Sequence, residues 1–231
     1  MKLKLTSTTY LILTISLIGF AASCSNHSDV SSAKAAEMAP VDAEIVSALS
    51  AVEKMPDSTL AYNNLALVYI RKARETGDFG HYSKANSTIE KALALAPGDT
   101  PTRKLQASLH LTFHRFSEAL ELGQQLQKEF PGDSFVYGVL TDANAELGNY
   151  PAAVAAAQKM VDLKPNSVSY ARVAHLRSLH GDHIGAVEAY KLAARTSDPL
   201  DKEAQSWCLV QLGNEFWKNG KYAEAEKVYD E

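Results

Sequence analysis

The chain has 231 residues, 46% of them hydrophobic and 22% charged, which is ordinary globular usage, enough for one domain or one solenoid, and excludes global disorder. The formal charge is −4 and falls by two more if Lys2 and Lys4 leave with a leader, so the body lacks the basic surface that binding a phosphate backbone requires. Nucleic acid is not an expected partner.

Residues 1–23 read as an export signal. Lys2 and Lys4 give a positive start, Tyr10 to Phe20 is an apolar run too short to span a bilayer, and small residues follow. The segment closes on Ala21-Ala22-Ser23-Cys24, which resembles the lipobox of bacterial lipoproteins, although Ala21 stands where leucine is usual. The resemblance implies that Cys24 is acylated and becomes the new N-terminus. Ser25 after it implies the periplasmic face of the outer membrane rather than the inner membrane. Residues 24–41, rich in Ser and Ala without apolar periodicity, are expected to be a flexible tether. A helix is expected over 42–56, with Ile45, Ala48, Leu49 and Val52 on one face, covering the start of a stack as solenoid caps do.

From residue 57 the chain repeats itself. The clearest copy, Ser134 to Asn166, has large residues Tyr137, Leu140 and Leu147 at helical spacing, an interruption at Gly148-Asn149, a second apolar series to Leu163, and a stop at Pro165. Such a helical hairpin cannot bury its apolar face alone. The same frame recurs over 59–99, 100–133, 134–166, 167–205 and, incompletely, 206–231. Its twentieth position is Ala85, Ala119, Ala153, Ala186 and Ala225, once a seven-residue insertion between Arg71 and Tyr82 is allowed. Its eighth is Ala66, Ala107, Thr141, Ala174 and Gly213, so small side chains let paired helices approach closely. Position seventeen carries a ring: Tyr82, Phe116, Tyr150, His183 and Tyr222. Pro97, Pro131 and Pro165 end three units and are followed by N-capping residues. The insertion is close to two helical turns, which lengthened helices absorb in phase at 3.6 residues per turn; the alternative is a looped-out turn at Gly77 to Gly80. Thr196 to Glu203, with Pro199, reads as a longer connection, and the stop at Glu231 inside a second helix is what a fragment would show.

This pattern resembles the tetratricopeptide repeat, best in the fifth unit through Leu212, Gly213, Phe216, Ala225 and Tyr229, and in the first through Tyr62, Leu65, Ala66, Tyr69, Ala85, Ile89 and Pro97. The second unit departs most, with Arg103, Gln106, His110 and Gly123 where bulk is expected. The resemblance implies an all-α, right-handed superhelical solenoid of antiparallel helix pairs that binds a protein or peptide partner in a concave groove lined by first helices. Carried over position by position, the partner-binding residues are Asn63, Asn64, Leu67 and Arg71; Lys104, Ser108 and Thr112; Phe135, Asp142 and Glu146; Arg172, His175 and Ser178; and Trp207, Gln211, Asn214 and Trp217. Trp207 and Trp217, ten residues apart, are expected on one broad concave face. The carboxylate clamp of some family members is not reproduced.

No catalytic arrangement stands out: the chain has no G-x-S-x-G, G-x-G-x-x-G, P-loop or H-E-x-x-H. His110 with His114, and His180 with His183, are only pairs, and a zinc site wants three or four converging ligands, so no metal or cofactor is expected. Cys208 reads as a small buried thiol. Asn26 and Asn86 begin N-x-S/T triplets, which matter only in a eukaryotic secretory protein. These features together point to a non-catalytic adaptor anchored to a bacterial envelope. The alternative is the recognition domain of a longer enzyme or transporter whose active part lies beyond residue 231.

Overall fold

The computed structural model describes residues 40–231. The expected leader, Cys24, all but the end of the tether, and the Asn26 triplet lie outside the described residues. Within them the chain folds into eleven α-helices: α1 (Pro40–Lys54), α2 (Thr59–Thr76), α3 (Gly80–Leu95), α4 (Thr100–Thr112), α5 (Phe116–Glu129), α6 (Ser134–Glu146), α7 (Tyr150–Leu163), α8 (Ser167–Leu179), α9 (His183–Arg195), α10 (Lys202–Lys218) and α11 (Tyr222–Tyr229). The described residues are all-α.

Local sequence chemistry sets where the first helix of each unit begins. Ser58, Asp99, Asp133 and Asn166, next to or shortly after the recurrent prolines, accept backbone N–H bonds from Ala61, Thr102, Phe135 and Ser169 at 3.0–3.3 Å. Asn166 and Ser169 cap each other reciprocally. Asp201 does the same for α10 through Ala204 N–H at 3.0 Å. That cap explains why α10 starts four residues before the frame's Ser206, leaving Thr196 to Asp201 as the connection. At the hairpin turns Gly148, Gly181 and Gly220 have φ of 77°, 78° and 71°, and His114 occupies the equivalent place with φ 56°, a left-handed conformation that costs an L-residue more than glycine.

The alanine columns are the seams of the hairpins. Ala85, Ala119, Ala153, Ala186 and Ala225 are all buried, as are Ala66, Ala107, Thr141, Ala174 and Gly213. Gly213 has a particular reason to lack a side chain: a Cβ there would lie 2.2 Å from the Tyr229 ring. The ring column is less buried than its regularity suggests. Tyr82, Phe116 and His183 are half-buried, whereas Tyr150 and Tyr222 are exposed.

Both helices of the first unit absorb the insertion. α2 has 18 residues where α4, α6 and α8 have 13, and α3 has 16 where α5 and α7 have 14. The turn between them keeps three residues, Gly77 to Phe79, so the looped-out alternative is excluded. Each second helix packs on its own first helix. First helices also touch the first helix of the next unit, α2 to α4 to α6 to α8 to α10, whereas second helices do not touch one another. The first helices therefore form the tighter inner row of the superhelix. The core runs along this row as a chain of apolar clusters, with α1 covering α2 at its start.

Candidate functional site

The inner row is stitched by polar contacts between neighbouring units, and several groove residues expected from sequence are their components. Asn63 is only 5% exposed; its amide donates to Asp99 at 3.3 Å and its oxygen faces the Thr102 hydroxyl at 2.9 Å. It ties α2 to α4 and is not on the open groove, a correction whose cause is the acid that arrives 36 residues later. Lys104 pairs with Asp133, the cap of α6, and its Nζ lies 5.9 Å from the Phe135 ring centroid. Asp142 and Arg172 form a two-pronged bond between α6 and α8 at 2.9 and 2.6 Å, the geometry that makes arginine–carboxylate pairs directional. Ser178 donates to Glu215 of α10 at 2.6 Å.

Glu215 is a buried carboxylate with three partners: Ser178, His183 at 3.2 Å and Lys218 at 2.7 Å. Burial pushes its pKa up, but the bonds from Lys218, Ser178 and His183 together hold it below the usual carboxylate range. It locks the fourth unit to the fifth.

Beside these ties a cavity of about 650 Å³ opens between α6, α8 and α10. Six of the expected groove residues line it: Asp142, Glu146, Arg172, His175, Trp207 and Gln211. Ala145, Ala171, Leu176 and Cys208 give it apolar ground. Trp207 is 50% exposed there. Trp217, 61% exposed, lies outside this lining, because ten residues at 3.6 per turn rotate it about 80° from Trp207. The two rings do not share the cavity.

The remaining expected residues stand apart from it. Asn64 and Leu67 are exposed on α2, and Arg71 pairs with Glu44 of α1. Ser108 and Thr112 are half-buried on α4, with the Thr112 hydroxyl bonded to the Ser108 carbonyl at 3.1 Å. Phe135 is exposed beneath Lys104. Asn214 accepts from Tyr229 at 2.8 Å.

Sequence reasoning missed other contributors to the cavity, Arg74, Glu203, Val168 and Tyr190 among them. Arg74 sits in the five-residue extension of α2 and reaches across the groove to Glu203 of α10, Nε to Oε1 3.2 Å. The signal was present in the insertion itself, since lengthening an inner helix extends its reach. Tyr190 is 3% exposed, and burial, aided by Glu215 and Cys208, raises its pKa to about 12. Burial likewise pushes the Cys208 thiol up, only partly offset by the Ser197 hydroxyl 3.9 Å away. The thiol stays protonated at neutral pH, and since the thiolate is the reactive form, Cys208 is the buried apolar group that its position suggested.

The histidines do not converge. His114 is exposed in its turn, His180 Nδ1 bonds the Leu176 carbonyl at 2.7 Å, and His110 is half-buried, its pKa lowered by burial and by Arg115. Among the described residues no group of three or more His, Cys, Asp or Glu stands together as metal ligands. None of their helices is long and apolar enough to cross a membrane.

Paired helices, small-residue seams and a continuous inner row define a tetratricopeptide-type solenoid. Residues 104–168, from α4 to the start of α8, match the family Tetratricopeptide repeat. Among solved structures the chain is similar to a thermophilic tetratricopeptide protein of Thermus thermophilus, with 20% identity over 71% of this chain and 88% of the other and a TM-score of 0.61. It is also similar to a tetratricopeptide repeat protein of Parabacteroides merdae, 18% identical over 71% and 63%, TM-score 0.57. A third likeness is to BtubC of P. vanneervenii, 18% identical over 84% and 89%, TM-score 0.55. At these identities the likeness is one of fold. No curated protein matches the chain.

Proposed function

We propose that this protein is a non-catalytic adaptor, anchored to the bacterial cell envelope through Cys24, that holds a peptide or a partner helix in its concave groove. The tetratricopeptide fold is a scaffold for protein–protein contact, and that much follows from architecture. The observation that carries the finer reading is the cavity. Six side chains expected to face a partner, contributed by three successive first helices, meet around one opening of about 650 Å³, within the usual range of binding clefts. Trp207 stands half-exposed at its wall, and rings of this kind dominate interface energies. The envelope anchor rests on the lipobox-like sequence ending at Cys24, and the periplasmic face of the outer membrane on Ser25 after it.

The test takes both halves. In vivo crosslinking of the full chain should recover an envelope protein, and Trp207→Ala should weaken that complex by about 2 kcal/mol or more while Trp217→Ala weakens it less. Cys24→Ser should abolish fatty-acid labelling and release the protein from membranes. Equal crosslinking by Trp207→Ala and the unaltered chain would remove the groove, and normal labelling of Cys24→Ser would remove the anchor.

A further inference from the structure

We infer that the cavity receives a basic side chain, arginine or lysine, presented by the partner; this rests on the adaptor reading above and specifies its ligand. The basic residues on the inner face already have internal acids: Arg71 has Glu44, Lys104 has Asp133, Arg172 has Asp142, and Arg74 has Glu203. The lining carries four carboxylates, Asp142, Glu146, Asp201 and Glu203, against two guanidiniums, Arg74 and Arg172. Glu146 has no ion-pair or hydrogen-bond partner among the described residues. An incoming acid would meet excess negative charge and no uncommitted arginine or lysine, whereas an incoming cation meets a free carboxylate.

The rest of the lining suits the same guest. The indole of Trp207 offers a π face to a cation, an attraction that strengthens as water is excluded. Ala145, Ala171, Leu176 and Cys208 offer apolar surface to the methylene stem of a long basic side chain. Tyr190, almost wholly buried, lines the cavity with a hydroxyl that bonds nothing among the described residues, and a neutral phenol oxygen can accept from a guanidinium or ammonium. The molecule also supplies its own example. Arg74 brings a guanidinium from α2 to Glu203 at the cavity, in a contact 51% and 64% exposed and therefore weak. A partner's arginine competes with Arg74 for that carboxylate.

The test uses the full chain carrying Trp217→Phe, which leaves Trp207 as the single tryptophan reporter. The probes are short blocked peptides of glycine, serine and leucine with a central arginine, norleucine or glutamate, titrated at low salt while Trp207 emission is followed. The arginine peptide should bind about tenfold tighter than the norleucine peptide, and the glutamate peptide more weakly than both. Raising the salt should narrow the gap. Glu146→Gln should reduce the arginine preference several-fold, and Arg74→Ala should tighten arginine binding by removing its competitor, both with unchanged helicity. Equal or tighter binding of norleucine or glutamate, or no response of Trp207 to any peptide, overturns the inference. The adaptor reading fails separately: if the crosslinked partner is lost on Trp207→Ala but arginine is not preferred, only the ligand class is wrong. If the partner is retained, the groove is wrong as well.

Discussion

The second and third units follow one frame and have first helices of equal length, yet α6 buries eight residues and α4 buries three. α6 presents Val136, Tyr137, Val139, Leu140 and Ala143 to helices on nearly every side. α4 offers Ala107 and Leu109 and replaces the missing bulk with polar ties: Asp99 with Asn63 and Thr102, Arg103 with Glu129 at 2.6 and 2.8 Å, and Lys104 with Asp133. Gly123 of α5 belongs to the same exchange, since a Cβ there would lie 3.0 Å from Leu140, and its absence lets α6 settle deeper. Two neighbouring hairpins of one solenoid are therefore held by different physics, the third by volume and the second by directed charge and hydrogen bonds. Their responses to perturbation should differ in kind as well as in size.

The largest contrast should come from truncation. Leu140→Ala should cost about 2–5 kcal/mol, the range for deleting a buried leucine, and the loss read by denaturant unfolding should not vary with salt or mild acid. A strongly salt-dependent loss would contradict an apolar hold on the third unit. In the second unit the matching test is Asp99→Asn, which keeps an N-capping side chain but removes the charge. It should cost about 1 kcal/mol at neutral pH, the difference between charged and neutral hydrogen bonds. The bond from Thr102 is the largest influence on Asp99, and with the Thr102 N–H, Asn63 and Thr59 it holds the carboxyl below its ordinary 3.8 against the opposing effect of burial. A depressed carboxylate stabilises the fold fully above its unfolded pKa, and that contribution is lost as the pH falls through the lower folded value. The unaltered protein should thus converge on Asp99→Asn in strong acid; a constant gap at every pH would sink this account. The smallest effect is expected at the turn of the second unit, where His114→Gly should stabilise by about 0.5 kcal/mol, because relief of the left-handed φ is partly cancelled by greater chain entropy when unfolded. A melting temperature lowered by that change would show that the His114 contact with Phe116 outweighs the strain.

Why the fold was legible and the site only partly so follows from where each kind of information sits. The alanine columns, glycine turns and recurrent prolines are local and repeated, so each copy corrects the others. Asp142, Arg172 and Trp207 were found because their places on a first helix bring them to the inner face whatever lies opposite. Asn63 occupies such a place too, but its burial depends on Asp99, which the recurrent proline and cap mark as the start of α4 without showing that it also bonds back to α2. Arg74 was not among the groove positions because these were carried over from the unlengthened frame and stop at Arg71, although the added residues form the part of α2 that reaches the cavity. Glu203 was lost because the frame began the fifth unit at Ser206, too late to include a turn that Asp201 initiates. Long-range partners and added turns are invisible when copies are aligned and their differences set aside.

The distribution of helix caps has a consequence for motion. All five first helices begin on a side chain that satisfies a backbone N–H, whereas three of the second helices, α5, α7 and α11, have no such bond, and α3 has one only from Asp78, ahead of its cap, to the Gly80 N–H. Uncapped ends open at lower free energy than capped ones, so local opening should concentrate in the outer layer, and its first-turn amides should exchange with solvent before those of the inner row. The outer surface can then breathe on short timescales while the row that lines the groove keeps its spacing. A scaffold built this way separates the layer that absorbs thermal disturbance from the layer that holds the shape of the cavity.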